Sequence, residues 1–257
     1  MAGPTIDEAF EIKFNRDVHL AYQQKKSKFR GLVRTDADVQ AEKVRFQKLG
    51  TIEAGTKARN GRVNMSNPEH PYVDVTMIDK YAGVMIDKLD LTKLSIDVRG
   101  GYVTTMASAF ARKTDGQIID AMISGATQHV GTYTGNMTRK LCLEAREALD
   151  DAEVDDDARV FCAVTPRMWS HLMQIDEFSK AENIGYDQLP WRSPTIQQMR
   201  MWNRTYWFTT NRYPTIRTAT CKAYMWHYSA VGHGINSEVS TTWDWENPEQ
   251  AWSCVGS

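Results

Sequence analysis

The sequence predicts an α+β protein whose body carries a long polar limb at its N-terminal end. Three observations predict it. The apolar period changes along the chain from two to three or four and back, without the regular βαβ alternation of a parallel sheet. With 42% apolar residues among 257, the chain can bury a sizeable core, and that core must lie mostly after residue 80. The first ninety residues hold too little apolar surface to form a compact globule by themselves.

Taken in order, Lys25 to Ala41 is nearly all charged, Gln or small, with Phe29, Leu32, Val33 and Val39 as its apolar residues. Lys43 to Leu49 sets Val44 and Phe46 on one face. Tyr72 to Ile78 sets Val73, Val75 and Met77 on one face against Asp74 and Thr76, so both segments read as strands. Between them Thr51 to Pro71 is polar and punctuated by glycine. Its Asn60-Gly61 pair predicts a type I′ turn, whose two central positions both need positive φ. The result is a protruding two-stranded arm. An isolated ribbon is marginal in water, so arm and tail are expected to find their stabilising contacts on another molecule, and the chain to assemble obligately.

Lys80 to Leu94 reads as a further extended stretch, with Tyr81, Val84, Ile86 and Leu89 set among charged residues. From Ile96 to Gly125 the period becomes helical. Val103, Met106, Phe110, Ile119, Met122 and Ala126 mark one face of the longest helix. Gly100, Gly101 and Gly116 each weaken it by about 1 kcal/mol relative to Ala, which predicts a bend or break near Lys113 to Gly116, and Gly125 is a natural stop. A polar link, Thr127 to Asn136, leads to a second amphipathic helix, Met137 to Leu149. Val160 to Val164 is a short apolar strand. Thr165 then caps a helix with Pro166 at its first position, expected to run to Asp176. Ser179 to Pro194 is irregular, and Met199 to Thr210 and Lys222 to Tyr228 read as strands rich in aromatic residues.

Several function classes find no support. A net charge of -1 makes no general case for nucleic-acid, membrane or strongly acidic partners. Cys142, Cys162, Cys221 and Cys254 are scattered, with no CxxC pair, so folding in a reducing cytoplasm is expected rather than a disulfide scaffold or zinc module. Met1 to Phe10 lacks the pattern of a secretory signal. No run approaches the roughly 18 apolar residues of a membrane helix, so a soluble chain without a membrane partner is expected. There is no GxGxxG, GxxxxGK[ST], GxSxG or HExxH. Cys221, His227 and His233 would need a loop to bring them onto one metal, and they read as core or surface residues. The acidic run Asp150, Asp151, Glu153, Asp155, Asp156, Asp157 departs from the EF-hand pattern and reads as a solvated helix end. Asp115 with Asp120, and Asp176 with Glu177, are carboxylate pairs of the kind any amphipathic helix supplies by chance. Arg200 to Trp207 interleaves basic and aromatic residues as single-strand nucleic-acid or sugar platforms do. A central strand with Met201, Asn203 and Thr205 on one face and Trp202, Arg204 and Tyr206 on the other explains it without a ligand. No catalytic residue, metal or cofactor is assigned.

The stretch from Met77 to Ala126 resembles the middle of tailed-bacteriophage major capsid proteins, particularly those of short-tailed, podovirus-like phages. The likeness lies in an acidic-apolar strand, then Leu94-Ser95-Ile96-Asp97-Val98-Arg99-Gly100, then a Tyr-bearing long helix with the break Arg112-Lys113-Thr114-Asp115. Met225 to Gly232, MWHYSAVG, is similar to the family's late strand. The resemblance implies the Hong Kong 97-like fold. Carried over by position, residues 1–42 are the N-terminal arm, 43–78 the E-loop hairpin, 79–135 the P-domain with the spine helix, 136–214 the A-domain, and 215–257 the late strands of both.

It further implies a structural, non-enzymatic protein whose pentamers and hexamers close an icosahedral head around double-stranded DNA, contacted without sequence preference. The protein would be made in the bacterial host cytoplasm and reside in the virion capsid beside portal, scaffold or decoration proteins. On this reading Phe46, Val73, Val75 and Met77 fix the hairpin and pack on a neighbour. Lys57, Arg59 and Arg62 meet acidic patches such as Asp150 to Asp157 across the interface. Val103, Met106, Phe110, Ile119 and Met122 of the spine helix hold the domains in register. Family members commonly continue past a Trp-containing strand into another that completes the P-domain sheet, for which Trp252 to Ser257 offers no sequel. No lysine and asparagine pair for crosslinking aligns by motif. The rival readings are a carbohydrate-binding or tail-associated virion protein using the Trp and Tyr strands, and a hydrolase with an unrecognised carboxylate site.

Overall fold

The computed structural model describes residues 24, 26–37, 40–63, 65, 67–89, 98–131, 137–154, 159–179, 199–213, 222–237, 239–246 and 249–256. The tail before residue 24, Val39, the Leu94 to Asp97 phrase, most of the irregular Ser179 to Pro194 stretch, Asp155 to Asp157 and Cys221 lie outside the described residues.

Alternating valines and aromatics build the first pairing. Strands β2 (Lys43–Gln47) and β3 (Tyr72–Thr76) are antiparallel with Val44 opposite Val75 and Phe46 opposite Val73, which keeps the apolar residues of both on one face. Two backbone bonds continue the ladder outward, from Lys48 N–H to Pro71 O at 2.8 Å and from Gly50 N–H to Glu69 O at 2.9 Å. Before this hairpin a short strand β1 (Arg34–Asp36) pairs in parallel with β9 (Gly232–Gly234), far along the chain.

The long helix α1 spans Val98–Gly125 without interruption. The break expected near Gly116 does not occur. Asp115, Ile118 and Ile119, which flank that glycine, are all buried, and their burial outweighs the roughly 1 kcal/mol that glycine costs a helix. Against α1 lies a three-stranded antiparallel sheet in the order β10 (Thr241–Glu246), β11 (Ala251–Gly256), β4 (Ala82–Asp87). One face of it, with Ile86, Cys254 and Gly256, turns inward; Phe110 of α1 would come within 3.0 Å of a Cβ at Gly256. The Trp-containing strand β11 is thus the middle strand of this sheet.

A four-stranded sheet in the order β6-β7-β5-β8 forms the other half. Its centre is β5 (Val160–Val164), parallel to β7 (Thr205–Thr209) and antiparallel to β8 (Tyr224–His227). Period-two alternation sends Ala163, Phe208 and Trp226 to one face and Cys162, Trp207 and Met225 to the other, and both faces are covered. The first is closed by Ile118, Ile119 and Met122 of α1. The second is closed by α2 (Arg139–Asp150), α3 (Pro166–Leu172) and α4 (Asp176–Ser179). Thr138 and Thr165 cap α2 and α3, each accepting a bond from the backbone N–H three residues on.

Three expectations are corrected here. The strand Met199 to Thr210 is a hairpin: β6 (Arg200–Trp202) turns into β7 at Asn203 and Arg204, whose φ values of 48° and 55° give the type I′ geometry. The turn expected to be type I′ at Asn60-Gly61 is centred one residue earlier. Gly61 N–H bonds Ala58 O at 2.9 Å, and of the central pair only Asn60 has positive φ, at 67°. Helix α3 stops at Leu172 because Gln174 and Ile175 bond back three residues, to His171 and Leu172, which tightens the last turn and lets Phe178 enter the core from α4.

Candidate assembly surfaces

The polar stretch before β1 is not waiting for another molecule. Asp115, fully buried on α1, accepts bonds from the backbone N–H groups of Lys28 at 3.1 Å and Phe29 at 3.2 Å, and from the side chains of Ser27 and Gln24. One carboxylate therefore satisfies a whole turn of chain. Phe29 is fully buried, stacked on Trp226 at 5.8 Å and edge-on to Phe208 at 5.3 Å, while Trp226 Nε1 donates to Leu32 O at 3.1 Å. Lys28 Nζ donates to Thr209 O at 2.9 Å; burial lowers its pKa, and the Asp115 charge pulls it back up. The expectation that this segment finds its contacts on another molecule is corrected accordingly, because a carboxylate and two rings from distant parts of the chain complete it. Asp115 was legible in part: it precedes Ile118, Ile119 and Met122 by three, four and seven residues, the spacing of the buried stripe.

The hairpin has two different faces. On the inner one Val44 is buried and Phe46, Val75 and Met77 are half-buried, and Phe46, Val44 and Met77 lie against Gly232 and Gly234 of the chain's own β9. Within the chain, Phe46 and Met77 therefore rest on β9. On the outer face Arg45 grips Asp74 through two bonds of 2.7 and 2.9 Å, and its guanidinium lies 3.8 Å from the centre of the Tyr72 ring. The pairing raises the pKa of Arg45 and lowers that of Asp74. Val73, on the inner face opposite Phe46, is 49% exposed. Beyond the strands Lys57, Arg59 and Arg62 are exposed, as are Ile52, Val63 and, at 90%, Met65.

Along α1, Met106, Ile119 and Met122 are buried and Val103 and Phe110 half-buried. Of the acidic run, Asp150 is held by Arg146 at 2.8 Å and by Arg204 at 3.3 Å. A different acidic surface is open: the outward face of the three-stranded sheet exposes Met85 and Val255 beside Asp87 and Asp244.

The aromatic strands are spent on the interior. Trp207 is buried, its Nε1 donates to Trp202 O at 3.1 Å, and Phe178 meets Trp169 and Trp202 edge-on. Arg200 lies over the Phe178 ring at 4.3 Å, buried, its pKa pushed down to about 10 by desolvation. Of the aromatic residues on β6 and β7, Trp207 and Phe208 are buried and Trp202 and Tyr206 half-buried. A cavity of about 270 Å³ under α2 is lined by Leu141, Cys142, Cys162, Met168 and Met225. Burial pushes Cys142 up to about 12 and Cys162 well above its ordinary value, so both thiols stay neutral, and a neutral thiol is a poor nucleophile. Among the described residues no three His, Cys, Asp or Glu side chains gather to hold a metal, and His227 Nδ1 faces Ser229 Oγ at 2.8 Å.

A sequence model of the phage capsid protein family matches residues 6–257. The chain belongs to the phage capsid protein family. No curated protein matches it in sequence. Solved structures with the same fold include a chain of Mycobacterium phage Che8, at 14% identity and a TM-score of 0.70, covering 93% of this chain and 88% of that one. The capsid of a native GTA particle follows at 10% identity and 0.66, covering 99% and 93%. The mature capsid of bacteriophage PhiM1 stands at 13% and 0.64, covering 90% and 81%. This capsid protein accordingly has the Hong Kong 97-like α+β fold and is a structural protein of the phage capsid, a subunit of a multimeric shell.

Proposed function

We propose that copies of this capsid protein close into pentamers and hexamers around double-stranded DNA, and that the hairpin of residues 43–78, as the E-loop, is the limb by which each copy clasps the next. The observation that carries the reading is the hairpin's far end: Ile52, Val63 and Met65 are exposed beside Lys57, Arg59 and Arg62, on a limb whose root is firmly seated. Apolar side chains held out on a basic limb suit a partner surface that is apolar and acidic. The outward face of the three-stranded sheet, with Met85 and Val255 among Asp87 and Asp244, has that character on the next copy. It replaces Asp150 as the acidic partner, since Asp150 is tied to Arg146 and Arg204.

In this arrangement α1 is the spine helix of a P-domain over residues 79–135, and the four-stranded sheet forms the A-domain of residues 136–214 together with β8 from the late segment. Val103, Met106, Phe110, Ile119 and Met122 hold the two in register. Exposed ion pairs contribute only about 0 to 1 kcal/mol each, so stability comes from repetition and from obligate interfaces of roughly 2,000 to 5,000 Å² or more. Contact with packaged DNA is weak and indifferent to sequence. Portal, scaffold and decoration proteins are the remaining partners, and the chain is made in the cytoplasm of a bacterial host. It performs no catalysis, a reading supported by its neutral buried thiols.

Electron microscopy of the full-length protein and of a variant lacking Gly50 to Pro71 tests this. The full chain is expected to give closed shells and the deletion a soluble, cooperatively folded body that forms none. Normal shells from the deletion would remove the hairpin from the mechanism.

A further inference from the structure

Two glycines separated by one residue, Gly232 and Gly234, form β9 with His233 between them. Glycine weakens a strand, so two in three positions call for a reason. Backbone conformation is not the reason, because among the described glycines only Gly131 has positive φ. The reason is close approach. A Cβ at Gly232 would stand 2.8 to 2.9 Å from three atoms of the Phe46 ring. One at Gly234 would stand 2.8 Å from Val44 Cγ2 and 3.3 Å from Met77 Sδ. Strands β2 and β3 pair with each other and β9 pairs with β1, so no backbone ladder joins the hairpin to β9; side chains resting on bare glycine backbone make that contact. Arg34 of β1, opposite Gly232, adds its guanidinium 5.6 Å from the centre of the Phe46 ring.

The seat acts on a lever. The eleven residues from Lys48 to Ala58 reach at most roughly 35 Å from the root. Phe46 and Val44 are about 7 Å apart along β2, so lifting one of them by ~1 Å tilts the hairpin by about 8° and moves its tip by ~5 Å. Such a shift is the width of a strand, enough to miss a side-chain contact on a neighbour.

We infer that the Gly232 and Gly234 pair, by offering Phe46, Val44 and Met77 a surface without side chains, fixes the angle at which the hairpin leaves the body and so decides whether copies of the chain close into a uniform shell. This rests on the reading of the hairpin as the assembly limb.

The test uses the full-length chain, with thermal unfolding to report the body and electron microscopy with sedimentation to report shell yield and diameter. Gly232→Ala is expected to keep a cooperative unfolding transition while shell yield falls about tenfold or more, the size of shift an overpacked contact produces. Adding Phe46→Leu to Gly232→Ala removes the clashing ring atoms and is expected to restore most of the yield. Phe46→Trp, which crowds the intact glycine from the other side, is expected to repeat the loss. Uniform shells at full yield from Gly232→Ala or from Phe46→Trp overturn the inference, as does a Gly232→Ala defect that Phe46→Leu leaves untouched. If the Gly50 to Pro71 deletion abolishes shells while Gly232→Ala does not, the seat alone fails; if that deletion builds normal shells, the clasping hairpin fails and takes the seat with it.

Discussion

Residues 24–36 and residues 48–71 are alike in composition and opposite in placement. Each is mostly polar, with a few scattered apolar side chains. In the first stretch Phe29, Leu32 and Val33 are all buried; in the second Leu49, Ile52, Val63 and Met65 are all exposed. The difference comes from elsewhere in the chain. The first stretch meets Asp115, which takes its backbone donors, and Trp226 and Phe208, which enclose its one ring. A polar segment therefore stands or falls with what the remainder of the fold offers its backbone, and its own hydrophobicity says little about whether it needs a second molecule. What is left unsupported is narrower than the whole limb, and it starts beyond the hairpin's root.

The strongest way to break this contrast is Phe29→Ala. It empties a ring site between Trp226 and Phe208, and chemical denaturation of the dissociated chain is expected to register a loss of about 3 to 5 kcal/mol. A loss under about 1 kcal/mol would mean that the arm root is a passenger, no better supported than the tip. Asp115→Ala comes next. It leaves the N–H groups of Lys28 and Phe29 without their acceptor, and a cost of about 2 to 3 kcal/mol in the same measurement is expected. Asp115→Asn, which keeps an acceptor oxygen, should lose less.

Much of this architecture could be read from periodicity. Val44 and Phe46 against Val73 and Val75 announced the hairpin and which residues share its buried face, while the register followed the turn, which lies one residue before the Asn60-Gly61 centre the sequence suggests. The stripe Met106, Phe110, Ile119 and Met122 announced α1, though not its continuity through Gly116, and Thr165-Pro166 announced the start of α3. What escaped was whatever depends on residues far apart in the sequence. Gln24 and Asp115 are 91 positions apart and Trp226 and Leu32 are 194 apart, and no local pattern links either pair. The turn at Asn203-Arg204 escaped for a different reason: Arg204 carries no sign of positive φ, and its conformation coincides with contacts from Arg146 and Asp150 on α2. The exposed tip was legible as polar, but the glycine seat that aims it was not, since Gly232 and Gly234 look like ordinary loop residues until Phe46 is laid across them.

His233 sharpens the comparison through pH. It sits on β9 at the hairpin's root with Nδ1 buried and without a hydrogen-bond partner, and burial first, then the charge of Arg30, hold its pKa below the ordinary 6.5. The unfolded chain therefore takes up this proton at higher pH than the folded one does. The stability associated with the neutral ring is present above pH 6.5 and is lost as pH falls from there through the depressed value. Denaturation series between neutral and mildly acidic pH should show a downward slope in the native chain that is shallower in His233→Gln. Equal slopes would place the titration elsewhere.

The smallest effect on the chain itself belongs to the tip, and it is the most telling for assembly. Val63→Ser with Met65→Ser removes two exposed apolar side chains that touch no core cluster, so the dissociated chain is expected to keep its stability within about 0.5 kcal/mol. Shell formation should nevertheless weaken, because apolar area is then missing from the contact each copy makes with the next, and the shell multiplies that loss over every interface. Unfolding curves and particle yield from the same preparation decide the matter. Unchanged curves with fewer shells separate the tip from the root, whereas a destabilised dissociated chain would show that the tip, like Phe29, already rests on its own body.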